Sequence, residues 1–130
     1  MNPTQRFHVR ASLYDVAPER LHELLKAVVG ELSFRSRLWG YQMFHEGPGL
    51  QLSVETMDEV HPTYVLDARL QSARSGVEAW VGDLCGRLDG ADILYLLDYV
   101  EEDVSGNELG EEQRVAHPEF DARYRARSPT

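Results

Sequence analysis

A strand followed by a helix can be read from residues 7–32, FHVRASLYDVAPERLHELLKAVVGEL. Residues 7–14 alternate between apolar and polar side chains, which is the pattern of a β-strand with one buried face. Pro18 suits the first turn of a helix, where the N–H that proline lacks has no partner within the helix. Apolar residues then recur at helical spacing: Leu21, Leu24, Leu25, Val28, Val29 and Leu32. This spacing predicts an amphipathic helix.

Downstream of this unit the pattern predicts a hairpin and a further strand. Residues 38–45 are rich in aromatic side chains, Gly47-Pro48-Gly49 is typical of a turn, and residues 50–55 alternate. These features indicate two strands joined by a tight turn. Residues 64–70 alternate in the same way and predict another strand.

A second helix is expected after that strand. Ser75 and Glu78 have the spacing of a capping box, in which each side chain binds a backbone N–H of the first turn. An apolar stripe follows at helical spacing: Val77, Trp80, Val81, Leu84, Cys85 and Leu88. Gly90 can end this helix.

The rest of the chain divides into an apolar run and a polar one. Residues 91–100 are apolar on both parities, which predicts a central strand covered on both faces. From Glu101 onward the chain is polar, contains Gly106 and Gly110, and shows no sustained period, so a loop and tail are expected there. We predict an α+β domain over residues 1–104 and a polar C-terminal extension over 105–130 that can dock on it.

The order of these elements predicts a ferredoxin-like β-α-β-β-β-α-β sandwich. In this fold a mainly antiparallel sheet carries both helices on one face. The other face is then partly open, with side chains of opposite parity to the core. His8, Arg10, Ser12 and Tyr14 are expected there from the first strand.

Composition limits the classes of function. The chain has 130 residues, with 22 Asp and Glu against 13 Lys and Arg, a net charge of −9. Such a charge repels nucleic acid and anionic membrane surfaces, and it attracts basic proteins. No apolar run approaches the roughly 18 residues of a membrane span, and Cys85 is the single cysteine. A cytoplasmic protein without nucleic-acid or membrane partners is expected.

Two groups of side chains are candidates for binding a partner. The first is aromatic, because large rigid side chains dominate binding energy at protein interfaces; it consists of Trp39, Tyr41 and His45. The second, named here the acidic strip, consists of Asp98, Glu101, Glu102 and Asp103. These four begin a run of seven carboxylates within fifteen residues that continues with Glu108, Glu111 and Glu112. Alternatively, Arg123, Arg125 and Arg127 neutralise these carboxylates if the tail folds back with Phe120 and Tyr124 as anchors.

Catalytic, metal and cofactor sites are not predicted. The histidines lack the spacing that presents two metal ligands from one helix or strand, and Cys85 falls on the apolar side of a helix. A calcium-loop pattern is only partly matched, by Glu101, Asp103, Ser105, Gly106 and Glu112. Because a strand is expected before it where an EF-hand needs a helix, an acidic loop is favoured.

The predicted function is an acidic protein-binding module, of the type of an immunity protein that neutralises a basic protein toxin. An acidic secretion chaperone that binds an extended segment is one alternative. A small-molecule-binding or enzymatic domain is another, with a pocket built from Trp39, Tyr41, His45 and either His8 or Tyr14. Gly82 and Gly86 share one side of the second helix, where a homodimer contact is a further hypothesis.

Overall fold

A seven-stranded antiparallel sheet and three helices form the fold in the computed structural model, which describes residues 5–58 and 60–127. The elements are β1 (Arg6–Tyr14), α1 (Pro18–Val29), β2 (Ser33–Ser36), β3 (Tyr41–Gly47), β4 (Leu50–Asp58), β5 (Thr63–Gln71), α2 (Arg74–Gly90), β6 (Leu94–Glu102), β7 (Glu108–Ala116) and α3 (Phe120–Arg127). The strand order is β2-β3-β4-β5-β1-β6-β7. The predicted α+β class and the antiparallel sheet are confirmed.

The predicted ferredoxin-like topology is wrong in its number of strands and in its sheet order. Two strands and one helix were not expected: β2, β7 and α3. The first of these strands has only four residues, three of them exposed. Most residues of β7 are also exposed, so neither strand shows the alternation that one buried face produces.

The predicted first helix is confirmed as α1, with Pro18 in its first turn. The helix ends at Gly30, which has a φ of 89° and donates its N–H to the carbonyl of Lys26. Leu21 and Leu25 are fully buried against the sheet. Leu32 lies beyond the helix end but is still buried.

The second predicted helix is also present, but its capping box is wrong. Helix α2 begins at Arg74 with Ala73 at the N-cap and has no capping side chain. Ser75 therefore lies within the first turn, where its hydroxyl cannot act as the N-cap. The end of the helix at Gly90 is confirmed, and the stripe buries Val77, Val81, Leu84, Cys85 and Leu88.

The core lies between α1, α2 and one face of the sheet. Strand β1 contributes Phe7, Val9, Ala11 and Leu13 to it, and all four are buried. The side chains of opposite parity form the other face, which we name the polar face. In the register of β1 with β5, His8 lies opposite Arg69 and Arg10 lies opposite Asp67. The side chains predicted for this face therefore do share it.

Helix α3 packs at the edge of the polar face where β1 ends. The ring of Tyr14 lies 5.9 Å from that of Phe120 and 5.4 Å from that of Tyr124. Phe120 and Tyr124, which were predicted to anchor the tail, do contact the sheet, and they do so from a helix. The structure describes no side chain for Arg127.

The apolar run before Glu101 forms β6, which is buried on both faces as predicted. Leu94 and Tyr95 have opposite parity and are 2% and 1% exposed. This strand lies between β1 and β7, and β5 occupies the middle of the sheet. The prediction of a loop and tail from Glu101 onward is wrong, since β6 and β7 form a hairpin. The expected domain boundary at residue 104 falls inside that hairpin.

Candidate functional site

The most buried carboxylate of the acidic strip is Glu102, whose side chain is 2% exposed. It points from β6 to the polar face, where its Oε1 lies 3.0 Å from Arg6 Nε and 3.1 Å from Arg69 Nε. An unpaired carboxylate would be very unfavourable at such a position, so the two guanidiniums stabilise its charge. An incoming protein would meet Glu102 only after these pairs had broken.

Two further carboxylates of the acidic strip are paired with arginines of the same chain. Asp98 accepts two hydrogen bonds from Arg114 on β7, from Nε at 2.7 Å and from Nη2 at 3.2 Å. The same contact raises the pKa of Arg114. Glu101 points to the opposite face, where its Oε1 lies 3.6 Å from Arg74 Nη2. Both carboxylates therefore help to hold neighbouring elements together.

Asp103 closes the turn between β6 and β7. Its Oδ1 accepts the backbone N–H of Ser105 at 2.8 Å and that of Asn107 at 3.0 Å. These hydrogen bonds, above all the one from Asn107, hold the pKa of Asp103 below its ordinary value. The residues of the partial calcium-loop pattern thus lie in and beside a hydrogen-bonded hairpin turn.

The arginines that pair with the acidic strip come from the sheet and α2, whereas Arg123 of α3 makes its ion pairs elsewhere. Its Nη1 lies 2.6 Å from Asp92 Oδ1 and 3.8 Å from Glu119 Oε1. The alternative that the tail neutralises the strip is therefore wrong for Arg123. Three of the four carboxylates of the strip are instead paired with arginines of the sheet and α2.

Three exposed carboxylates on β7 are not paired in this way, and we name them the acidic edge: Glu108, Glu111 and Glu112. Across the described residues, none of the three has a cationic side chain within 4.0 Å. Because β7 is the last strand of the sheet, its outer backbone groups also lack a neighbouring strand. Sequence analysis missed this strand, although it identified residues 101–112 as strongly acidic.

The predicted aromatic group does not form one site. Trp39 and Tyr41 line an open groove of about 700 Å³ at the end of β3. His45 lies four residues farther along β3, about 13 Å away, and its Nδ1 is 2.6 Å from the carbonyl oxygen of Glu31. His8 and Tyr14 belong to β1, on the other side of β4 and β5. The pocket expected for a small-molecule or enzyme site is therefore not assembled.

Four large hydrophobic side chains are exposed at the end of the sheet where β3 begins and β4 ends. We name them the apolar end: Leu38, Trp39, Met57 and Val60. Leu38 is fully exposed and Trp39 is 56% exposed. The start of β3 is joined to the end of β4 where Tyr41 donates its N–H to Thr56 Oγ1 at 2.8 Å. Clustered exposed hydrophobics of this kind are typical of interaction surfaces.

The apolar end and the acidic edge lie at diagonally opposite corners of the sheet. Strand β3 is five steps from β7 in the strand order, which corresponds to about 24 Å. The two groups also lie at opposite ends of nine-residue strands, a further 30 Å or so. A single small contact cannot cover both groups, so they are two surfaces.

The polar face between these corners holds a groove of about 390 Å³. Among its lining residues are His8, Arg10, Ser12 and Asp98. His8 Nε2 is 2.9 Å from Asp67 Oδ2, so the imidazole is bonded to a carboxylate and not to the Ser12 hydroxyl. The described residues of this groove contain no pair of nucleophile and base.

Three side chains that often bind metals lie beside the start of α3: Asp92, His117 and Glu119. His117 Nδ1 accepts the backbone N–H of Glu119 at 3.0 Å, so the neutral imidazole carries its proton on Nε2, 3.4 Å from Asp92 Oδ1. Since Arg123 also pairs with Asp92, these side chains anchor α3 to the sheet.

Cys85 is buried on α2 beside Tyr95. Burial raises the pKa of the Cys85 thiol to about 11, against the opposing effect of a hydrogen bond with Tyr95. The thiol is therefore protonated at neutral pH, and only the thiolate is a strong nucleophile. The geometry supports the predicted role of Cys85 as a small hydrophobic core residue.

In the part that the structure describes, no helix is long and apolar enough to cross a membrane. The sequence matches no known protein family and no curated protein.

Proposed function

We propose that the protein is an acidic protein-binding module that takes a basic protein at its acidic edge. The observation that carries this proposal is the contrast along the β6–β7 hairpin. Asp98 and Glu102 are paired with arginines, whereas Glu108, Glu111 and Glu112 are exposed and lack such pairs among the described residues. Carboxylates that form no ion pair attract an external cation more strongly than paired ones do. Of the three, Glu112 also interacts with the charge of Arg114 at longer range.

The overall charge supports the same partner. With a net charge of −9, the field of the protein speeds the approach of a basic surface. An immunity-type inhibitor of a basic protein toxin has this requirement, because it must reach the toxin quickly and cover a cationic active site. We propose this as the specific role of the module.

A second candidate function, an acidic secretion chaperone, is favoured by the position of the acidic edge on an outer strand. Strand β7 has nine residues, and a basic segment in extended conformation could pair with its outer side as an eighth strand. The two roles differ in the state of the partner. An inhibited toxin is folded, whereas a chaperone client is extended and protease-sensitive.

The test compares two variants of equal charge. The first is Glu108→Gln/Glu111→Gln/Glu112→Gln, which neutralises the acidic edge. The control is Glu19→Gln/Glu23→Gln/Glu78→Gln, which removes three exposed carboxylates from α1 and α2. Each protein is used to capture partners from a lysate of the native organism, and a captured basic protein is purified and titrated at low and at roughly 0.5 M salt.

We expect the wild type and the helix control to bind the same basic protein, and the edge variant to bind it at least about tenfold more weakly at low salt. Limited proteolysis of the bound partner then separates a folded toxin from an extended client. Equal binding by the edge variant and the control would refute the acidic edge as the contact surface. Capture of acidic or neutral proteins alone would refute the basic partner.

A further inference from the structure

We propose that β2, at the opposite edge of the sheet, is a second docking site and takes an extended acidic peptide segment. This proposal does not depend on the acidic edge, because the two surfaces lie at different edges and carry different charge. It would make the protein a module with two partners of opposite charge.

The backbone of β2 is available for pairing on one side. Among residues 5–58 and 60–127, Ser33–Ser36 pair only with β3, and the strand order ends at β2. An outer strand presents a row of backbone N–H and C=O groups that an extended peptide can bind. Ser33, Arg35 and Ser36 are all exposed, so the described side chains leave this edge accessible.

The charge of this edge favours an acidic segment. Arg35 is exposed, and none of the described carboxylates lies within 4.0 Å of its guanidinium. Arg37 donates through Nη1 to Gln42 Oε1 at 2.8 Å, which is a neutral acceptor. In a chain with 22 acidic and 13 basic residues, two cationic side chains without a carboxylate partner are well placed to bind one from outside.

The nearest carboxylate on the polar face does not cancel this charge. Glu55 lies on β4, two strands inward from β2 and so about 10 Å from its line. It accepts a hydrogen bond from Gln42 Nε2 at 3.4 Å, and among the described residues it forms no ion pair with Arg35 or Arg37 within 4.0 Å. A segment docked outside β2 would meet Arg35 first.

Apolar contacts next to Arg35 complete the surface. Phe44 pairs with Ser33 across β2 and β3 and is 44% exposed. Together with Arg35 and Gln42 they line a hollow of about 280 Å³. Beyond the end of β2 lies the groove with Leu38 and Trp39. The surface therefore fits a segment with carboxylates on alternate residues and an apolar side chain near Trp39.

The probe for this site is a fluorescent ten-residue peptide of alternating glutamate and valine. A peptide of alternating lysine and valine is the charge control. Binding is followed by fluorescence anisotropy and by the NMR shifts of the backbone amides of residues 33–37. Arg35→Glu is the test variant, and Arg125→Glu, an exposed residue of α3, is its matched control.

We expect the acidic peptide to bind the wild type and Arg125→Glu equally, and Arg35→Glu about tenfold more weakly. The amide shifts should be confined to β2, β3 and the loop between them. Neutralising Glu108, Glu111 and Glu112 should leave this binding unchanged, so failure here is distinct from failure at the acidic edge. The proposal is overturned if the acidic peptide does not bind at millimolar concentration, if Arg35→Glu has no effect, or if the lysine peptide shifts the same amides.

Discussion

Neighbouring carboxylates of β6 differ because successive side chains of a strand point to opposite faces. Glu101 points to the face of α2 and meets Arg74, whereas Glu102 points to the polar face and lies between Arg6 and Arg69. Glu102 is 2% exposed and Glu101 is 23% exposed at the side chain. Acidic residues that are adjacent in the sequence therefore have different structural roles.

Removing the charge of Glu102 should therefore destabilise the fold. In Glu102→Gln the guanidiniums of Arg6 and Arg69 lose their common carboxylate, and we expect a loss of about 1–3 kcal/mol in the free energy of unfolding. Denaturation with urea measures it. The control is Asp83→Asn, which breaks the exposed pair with Arg87 and should cost about 0.5 kcal/mol or less. Equal effects would contradict the structural role of Glu102.

Two glycines on α2 should be replaceable with a gain in stability. A Cβ added at Gly82 or Gly86 would meet nothing within 4 Å, and both residues are helical. Each change to alanine should raise the free energy of unfolding by about 0.5–1 kcal/mol, because glycine has more backbone freedom to lose on folding. Gly40→Ala should act in the opposite direction, since its Cβ would lie 2.6 Å from that of Thr56.

A larger side chain at Gly82 tests the homodimer hypothesis. Within the described chain no other backbone approaches Gly82, so any close contact there must come from a second copy. Sedimentation of Gly82→Leu should match that of the wild type if the protein is a monomer. A shift from dimer to monomer in that variant would instead support the contact.

At the scale of elements, α3 is held to the sheet by a small number of side chains. Arg123 and His117 both contact Asp92, and Tyr14 contacts two rings of the helix. The hydrogen bond from Arg123, followed by its charge, lowers the pKa of Asp92 below the ordinary 3.8. The docking of α3 is thus linked to the ionisation of Asp92.

Acid should therefore loosen α3. A carboxylate with a lowered pKa contributes stability that is present above about pH 4 and is lost as the pH falls through the lowered value. The ring signals of Tyr14 and Tyr124 in NMR should show a change in this acidic range that is absent in Asp92→Asn. Asparagine suits the control because Asp92 has a φ of 56°, which asparagine tolerates. The same acid transition in that variant would contradict the prediction.

At the scale of the whole molecule, residues 105–130 belong to the same sheet as the residues before them. Strand β7 covers the outer edge of β6, and α3 covers the polar face near Tyr14. A chain ended at residue 104 should unfold roughly 10 °C lower than the full chain, equivalent to about 2–3 kcal/mol for a domain of this size. Scanning calorimetry measures this shift.

A chain ended at residue 116 serves as the comparison for that truncation. It keeps β7 and loses only α3, so its midpoint should lie between those of the other two proteins. If the chain ended at 104 were as stable as the full protein, β7 and α3 would be shown to add nothing to the fold.

The parts of the fold that the sequence predicts are those that follow from local periodicity. Helix α1 and strands β1, β4 and β5 have one buried face each, so apolar residues recur with the period of the element. Strands β2 and β7 lie at the edges and expose most residues, so they leave no such pattern. Periodicity in the sequence therefore predicts inner strands of the sheet and misses both edge strands.

The sequence by itself determined the α+β class, the polar face and the excess of negative charge, because each depends on residue type and on spacing within one element. Only the tertiary structure decided the strand order, the pairing of Glu102 with Arg6 and Arg69, and the separation of Trp39 from the acidic edge. These features depend on contacts between residues far apart in the chain. Spacing along the sequence does not indicate which distant side chains will form ion pairs. It therefore does not indicate which charged side chains are left to bind a partner.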